Sequence, residues 1–426
     1  MSALVLRVLI CGVPAGTLFQ DASGRMGFCY DEAYAGIPLS MSMSVSNRTY
    51  GQSIVRPYLF GLLPDSEAQR AAIARDFEVR PNNPVTLLSH IGLDCPGGVQ
   101  FCMPEQTAQA MARSGTYRPL SDHEIAQRLR AIRDDRESSW MGLRESWSLG
   151  GNQGKFALAL VNNRWCECLG SAPTTHIVKN GVIGFKLEAL NEFVCMSTAG
   201  RLGIPTAHVS YRQFEDEPAL LVERYDRVRT ADGRIRRVHQ EDLCQALGVM
   251  PDKKYASDGG PTTRDVLRLL GTTDHAAANV YSFTRMLFYN YLIGAPDAHA
   301  KNYSLLLGAK GAALLAPSYD VASGFAYESV RYHVRSAMTI GGENRFGRVG
   351  KGAIRRYAAA AGFDGLGFGS DVCIDLMASL AQSIPPCMGE VFEEAGTQRV
   401  KGIDELQDRL LGYVEEHCRT TLAQLS

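Results

Sequence analysis

The sequence carries no excess of either charge, with 44 Lys+Arg against 45 Asp+Glu in 426 residues. It is therefore no polycation, and any grip on nucleic acid has to come from a local patch or a partner. It has no C-x-x-C pair: the eleven cysteines, an odd number, are scattered without regular spacing. That excludes a disulfide framework and leaves a reduced, cytoplasmic chain with small buried thiols as the expectation. Cys166 and Cys168, with His176 nearby, lack the second ligand pair that a structural zinc site needs. No window approaches the ~18 apolar residues that span a bilayer. The opening MSALVLRVLI is broken by Arg7 and lacks a charged leader and a cleavage site, so it reads as a first β-strand and neither secretion nor membrane insertion is expected. Internal repeats and low-complexity tracts are also missing. What remains is an ordinary globular composition, 45% hydrophobic and 21% charged. At roughly 150 residues per domain, two or three domains are expected.

Short apolar runs at 4–10, 17–19 and 26–30, separated by turn sequences, predict a small β-meander. Asp65 and Ser66 can cap a helix through Ala71, Ile73 and Ala74, and Leu87, Leu88 and Ile91 extend the pattern. Residues 1–106 thus form an expected α+β module. A polar stretch follows, then a capping box of Ser121 with Glu124 ahead of Ile125, Leu129 and Ile132, so 107–145 reads as a helical connection. Between 146 and 228 the runs 156–161, 175–179, 208–212 and 219–225 predict strands, with one helix near 190–202. From 229 to 426 nearly everything reads helical. Val280, Phe283, Leu287 and Tyr291 share one stripe, as do Ile403, Leu406, Leu410 and Val414. The one exception is a two-strand element, Tyr303–Leu307 and Leu314–Leu315, joined by G-A-K-G.

Three features fall in order on this β-then-α layout. Before the strand 156–161 lies Ser148-Leu-Gly-Gly-Asn-Gln-Gly-Lys155, whose glycines let backbone N–H groups approach an anion and whose lysine can meet a phosphate. It is not a Walker A loop, because Leu149 and Phe156 stand where that motif needs Gly and Ser or Thr. A plain glycine-rich turn is the simpler account of this segment alone. Second, Asp297-Ala-His299-Ala-Lys301-Asn302 has the Asp-x-x-x-x-Asn spacing of a kinase catalytic loop. There the aspartate orients the attacking hydroxyl, the asparagine helps hold a metal on the ATP phosphates, and a lysine can neutralise the transferred group. Third, Asp320 follows a two-strand element, the place of a kinase's second metal ligand. Lys179, ending T-H-I-V-K, is suited to bridge phosphates, and the backbone of Glu223 to Tyr225, ending the last strand before the helical region, can bind an adenine edge. Each feature has a bland reading as a turn or a solvated strand end, but their joint order favours a nucleotide site. The arginines at 224, 227, 229, 234, 236 and 237 read as a solvated basic hairpin, with a docking surface for an acidic or nucleic-acid partner as the lesser reading.

The motifs G-L-L-P-D-S (61–66), H-I-G-L-D (90–94), S-L-G-G-N-Q-G-K, T-H-I-V-K, N-E-F-V-C-M, V-E-R-Y-D-R, H-Q-E-D-L-C-Q-A-L-G, K-K-Y-A-S-D-G-G-P, I-G-A-P-D-A-H-A-K-N and P-S-Y-D-V run in order along almost the whole chain. In these the sequence resembles the HipA family of bacterial serine/threonine kinases, the toxins of type II toxin–antitoxin pairs. The resemblance implies an α+β fold: a two-lobed protein-kinase-like core, β-rich in the N-lobe and mostly helical in the C-lobe, behind a small α+β amino-terminal module. It implies that Asp297 is catalytic with Lys301 beside it, and that Asn302 and Asp320 hold Mg2+. The nucleotide contacts it implies for ATP are Gly150, Gly151, Asn152, Gln153, Gly154, Lys155, Lys179, Glu223, Tyr225, His299 and Asn302. Ser148 matches the serine that family members autophosphorylate, and Ser146 in the same Ser-Trp-Ser is the other candidate. About two negative charges beside a phosphate site would repel the nucleotide and silence the enzyme.

The resemblance further implies a HipB-like helix-turn-helix antitoxin as partner, DNA contacted only through it, and an aminoacyl-tRNA synthetase as target, glutamyl-tRNA synthetase first. Translation inhibition and persistence would follow. One departure from the general protein-kinase pattern is Gly294-Ala-Pro296 in place of the His-Arg before the catalytic Asp, so activation-loop control of the eukaryotic kind is not expected. Two other readings stand beside this one. The first is a catalytically weak co-repressor assembled with a DNA-binding antitoxin. The second is a small-molecule phosphotransferase, against which the amino-terminal motifs count.

Overall fold

A computed structural model describes residues 3–426 apart from 113–114, 135–140, 142–144, 183, 332–333, 364 and 367–368. It forms two compact units, one of residues 1–180, 212–252 and 304–313, the other of 181–211, 253–303 and 314–426.

In the first unit the apolar runs at the N-terminus are strands Leu4–Ile10, Val13–Gln20 and Met26–Tyr30. Two strands that the sequence reading did not anticipate, Thr49–Tyr50 and Val99–Cys102, complete a five-stranded sheet at its two edges. The adjoining pairs are antiparallel. Leu6, Val8, Leu18 and Phe28 from this sheet pack with Tyr58, Leu87, Leu88 and Ile91 from the helices beside it. Ser66 does cap a helix, accepting the Gln69 N–H, but that helix ends at Asp76. Leu87, Leu88 and Ile91 belong to a separate helix, Pro84–Ile91, started by the Asn83 side chain and by Pro84. Helix Gln52–Gly61 also went unread, because Pro57 in its interior argues locally against a helix.

A six-stranded sheet follows, in the order Val209–Phe214, Glu217–Glu223, His176–Lys179, Phe156–Val161, Arg164–Leu169, Thr116–Pro119. Its outer strand Thr116–Pro119 lies in the stretch read as a polar connection, with Tyr117 paired to Cys168. Helix Asp122–Asp134, with the anticipated box between Ser121 and Glu124, lays Ile125, Leu129 and Ile132 on this sheet.

The basic run is a correction. Arg229, Arg234 and Arg236 are exposed, but Arg224, Arg227 and Arg237 are buried around Asp94 and Asp226. Arg227 and Arg237 pair across the hairpin Arg227–Arg229/Ile235–Arg237, so pleating sends both inward together. Asp94 accepts from Arg227 and Arg237 at 2.9 Å and from the Thr174 hydroxyl at 2.7 Å, while Arg224 donates to Asp226 at 2.7 Å. These guanidinium groups hold the Asp94 carboxyl well below the usual carboxylate range, against the effect of burial.

Glu241, in strand Gln240–Asp242, is fully buried and accepts the Met41 N–H at 2.7 Å. Burial pushes its carboxyl up to about 8. Its contribution to stability is complete while both states are protonated and declines as pH rises, because the unfolded chain ionises first. Between about pH 5 and pH 8, wild type is expected to lose up to about 1.4 kcal/mol per pH unit relative to Glu241→Gln. Urea unfolding of both proteins across that range checks this. A pH-independent difference would mean that Glu241 ionises in place without cost.

In the second unit the anticipated stripes hold. Val280, Phe283, Leu287 and Tyr291 are buried along Ala276–Leu292, and Ile403, Leu406, Leu410 and Val414 along Ile403–Leu425. Helices Glu188–Arg201, Thr263–Gly271, Lys351–Ala360 and Gly369–Thr397 complete its main frame. A hairpin, Arg335–Ile340 with Glu343–Arg345, corrects the reading of this region as helical outside one two-strand element. The two-strand element itself is present as Ser304–Leu307 and Ala313–Leu315, and Ser304–Leu307 pairs with Gln240–Asp242 in the first unit. No helix among the described residues is long and apolar enough to cross a membrane.

Candidate functional site

Helix Ala276–Leu292 ends two residues before Gly294, whose φ of +68° turns the chain in the left-handed region. A side chain there would meet the Phe325 ring at 2.4 Å, so glycine is required twice over. The next residues close on themselves. His299 N–H and the Asn302 side-chain NH2 both donate to the Asp297 carbonyl, at 2.8 and 2.7 Å, and Asn302 N–H donates to His299 O at 2.9 Å. Because the Asn302 amide must present its nitrogen to that carbonyl, its oxygen faces the other way and stays available as a ligand. The Asp297 side chain is 63% exposed. His299 and Lys301 are buried.

Burial and the neighbouring Lys254 hold the His299 imidazole down to about 3, against a smaller opposing effect of Asp320. It is neutral at physiological pH and suited to hydrogen bonding, not to carrying a charge. Its Nδ1 is buried without a protein partner among the described residues. Tyr319 donates to the Lys301 carbonyl at 2.7 Å, bringing the Asp320 segment onto the loop. Asp320 has φ +58°, a costly conformation for an aspartate and one that clusters at functional sites. Beyond it, Asn191 clamps Ser323, donating to its carbonyl at 2.8 Å and accepting its N–H at 3.2 Å, and Ser323 Oγ donates to Ile293 O at 2.5 Å. Asp297, His299, Lys301, Asn302 and Asp320 are thus brought together in the second unit.

The other candidates lie in the first unit. Gly151 has φ +98°, and a side chain there would strike Lys155 Nζ at 2.7 Å, so the lysine folds over the glycine backbone. This segment is held to the amino-terminal module: Asp65 N–H donates to Gly151 O at 2.9 Å and Gln69 to Asn152 O at 3.3 Å. A cavity of about 20 Å³, lined in part by Gln69, Trp147, Gln153 and Lys155, lies beside it. Ser148 is buried against Cys95, and Ser146 is half-buried with its carbonyl accepting the Asp94 N–H at 3.0 Å. Lys179 is buried at the end of its strand, not a solvated edge cap. Glu223 is exposed at the end of Glu217–Glu223, and the Tyr225 hydroxyl bonds Gln240 at 2.8 Å.

The segment 147–385, which includes every residue from the glycine run to Asp320, matches the HipA-like C-terminal domain, and 6–102 matches the HipA N-terminal domain. This chain belongs to the HipA family. A putative kinase of Sinorhizobium fredii, Y4mE, is 34% identical over 85% of this chain and 87% of its own length. The serine/threonine-protein kinase toxin HipA of Shewanella oneidensis is 29% identical over 91% and 89%. The Shewanella oneidensis HipA chain solved with HipB and operator DNA superposes with a TM-score of 0.79 at 25% identity, covering 98% of this chain and 97% of that one. The α+β kinase-like architecture and the protein kinase class are therefore those of HipA.

Sequence reasoning passed over three groups in this HipA-family chain. Asn191 and Glu192 sit in N-E-F-V-C-M, which gives no local sign that both are buried on the inner side of a helix. Tyr255, in K-K-Y-A-S-D-G-G-P, donates its hydroxyl to Asp297. Asp94 lies in H-I-G-L-D, and only the fold brings the arginines of V-E-R-Y-D-R to it.

Proposed function

We propose that this HipA-family kinase transfers the γ-phosphoryl group of ATP, with Mg2+, to a serine or threonine of an aminoacyl-tRNA synthetase, glutamyl-tRNA synthetase being the first candidate. The observation that carries the reading is the closed loop from Asp297 to Asn302, with an exposed carboxylate at its start and a buried lysine inside it. Asp297 would orient the acceptor hydroxyl, and Lys301 would offset charge on the moving phosphoryl group.

Asn302 and Asp320 supply hard oxygen donors, and a magnesium ion bound through one or two protein oxygens plus substrate phosphates suits that set. The substrate phosphates would supply further oxygens to an ion held there. Held by Asn302 and Asp320, such an ion would supply positive charge against the phosphate oxygens. His299 offers a neutral ring nitrogen to the nucleotide. The segment from Gly150 to Lys155 offers backbone N–H groups and a cation to phosphates, Lys179 a buried one, and Glu223 to Tyr225 a backbone edge for adenine. Ser148, or Ser146, is the proposed self-modified serine. With Ser148 buried, its modification requires the glycine segment to leave its seat.

The partner proposed is a HipB-like antitoxin, by analogy with the Shewanella complex. The balanced charge leaves operator contacts mainly to that antitoxin. Labelled ATP with magnesium, offered to wild type and Asp297→Asn with a panel of synthetases and their tRNAs, tests this function. Label on one synthetase, absent with the variant, is expected. ATP binding with no transfer to any protein would instead favour the co-repressor reading.

A further inference from the structure

In the second unit the motif K-K-Y-A-S-D-G-G-P lies across the loop that begins at Asp297. Lys254 O accepts the Ala300 N–H at 3.3 Å, which fastens the segment to the loop backbone. Tyr255 O accepts from Asp258 at 3.1 Å and from Gly260 at 3.0 Å, closing a tight turn. Gly259 takes φ +80° in that turn, and a side chain on Gly260 would lie 1.8 Å from Lys253 O, so the two glycines are what let the turn form. The consequence is the placement of one side chain. The Tyr255 ring stands edge-on to buried His299, with centroids 4.8 Å apart at 87°, and its hydroxyl donates to Asp297 Oδ1.

The Asp297 side chain is 63% exposed. Packing therefore does little to choose among its rotamers, and an exposed carboxylate spreads over several staggered positions. A donor held by its own turn and by a buried ring selects one of them. A carboxylate has about four lone-pair positions, so engaging Oδ1 in this way leaves capacity for an acceptor hydroxyl.

We propose that Tyr255 is a positioning residue for phosphoryl transfer, its hydroxyl fixing the Asp297 carboxylate in the orientation that receives the acceptor hydroxyl. This rests on the assignment of Asp297 given above. Orientation of this kind acts on the transfer step and not on nucleotide affinity.

The test uses the full chain and four proteins: wild type, Tyr255→Phe, Tyr255→Ala and Asp297→Asn. The transfer rate constant at saturating ATP and magnesium is read from label entering the chain itself and the synthetase panel, and nucleotide affinity from a fluorescent ATP analogue. Tyr255→Phe keeps the ring on His299 and removes only the hydroxyl. It is expected to lose about 10-fold in the transfer rate constant with the analogue's Kd within about 2-fold of wild type, and Tyr255→Ala is expected to lose at least as much. Wild-type transfer by Tyr255→Phe would overturn the proposal, whether or not Tyr255→Ala is slow, since ring packing would then be its whole role. A parallel loss of analogue affinity in Tyr255→Phe would overturn it as well. If Asp297→Asn transfers like wild type, or wild type transfers nothing, the kinase assignment itself has failed and the inference with it.

Discussion

Asp297→Asn is expected to lower the transfer rate constant by about 10³-fold, equivalent to about 4 kcal/mol of barrier, while leaving folding stability within about 0.5 kcal/mol. The two expectations belong together. The side chain is 63% exposed, so little packing is lost, and asparagine has the same shape. What disappears is the negative charge that orients an acceptor proton. The backbone of residue 297 is untouched, so its carbonyl still accepts from His299 and Asn302 and the loop stays closed. Single-turnover transfer and urea unfolding on the same preparations check the prediction. A variant that transfers at the wild-type rate would remove Asp297 from the mechanism. A variant that loses rate and stability together would show the aspartate to be structural.

The second large effect is expected far from any chemistry. Asp94→Asn should cost about 3–5 kcal/mol of stability, because removing one partner from a buried ionic cluster leaves charges that burial penalises heavily. Arg224, Arg227 and Arg237 are each under 5% exposed in their side chains and all lie around Asp94. Three guanidinium groups would then share Asp226 and backbone carbonyls such as Cys95 O and Ser171 O.

The pH dependence follows from the depressed folded-state pKa of Asp94. Its contribution is present above the carboxylate's unfolded value, near pH 4, and is lost as pH falls further and the folded state too becomes protonated. Urea midpoints of wild type and variant should therefore lie far apart at neutral pH and converge in acid. A gap that stays constant from neutral pH into acid would show that the Asp94 charge is not what the variant lost. The cluster is joined directly to the start of the glycine segment, since the Asp94 backbone bonds Ser146 and Ser148. Its loss is expected to loosen that segment also.

How far the sequence carried differs from element to element. The stripe Val280–Phe283–Leu287–Tyr291 was legible because a buried helix face repeats at fixed spacing. The strand Thr116–Pro119 was not, since its partially exposed residues carry no apolar alternation and its partner Cys166–Leu169 lies far along the chain. Helix Gln52–Gly61 was hidden by its proline, which packing against the amino-terminal sheet outweighs. The arginine run was misjudged for a related reason. Charge reads as solvent exposure until the carboxylates that neutralise it are known, and Asp94 is more than a hundred residues away in sequence, with separations of 130 to 143.

By itself, the sequence determined the order of β-rich and helical regions, the Asp-x-x-x-x-Asn loop and the glycine run, because each is encoded by residues close together in the chain. Only the tertiary structure decided that His299 is buried and neutral, that Asn191 clamps Ser323 and that Tyr255 reaches Asp297. Those depend on burial and on contacts between distant segments, and a side chain's desolvation and partners are properties of the folded surroundings, not of its neighbours in sequence.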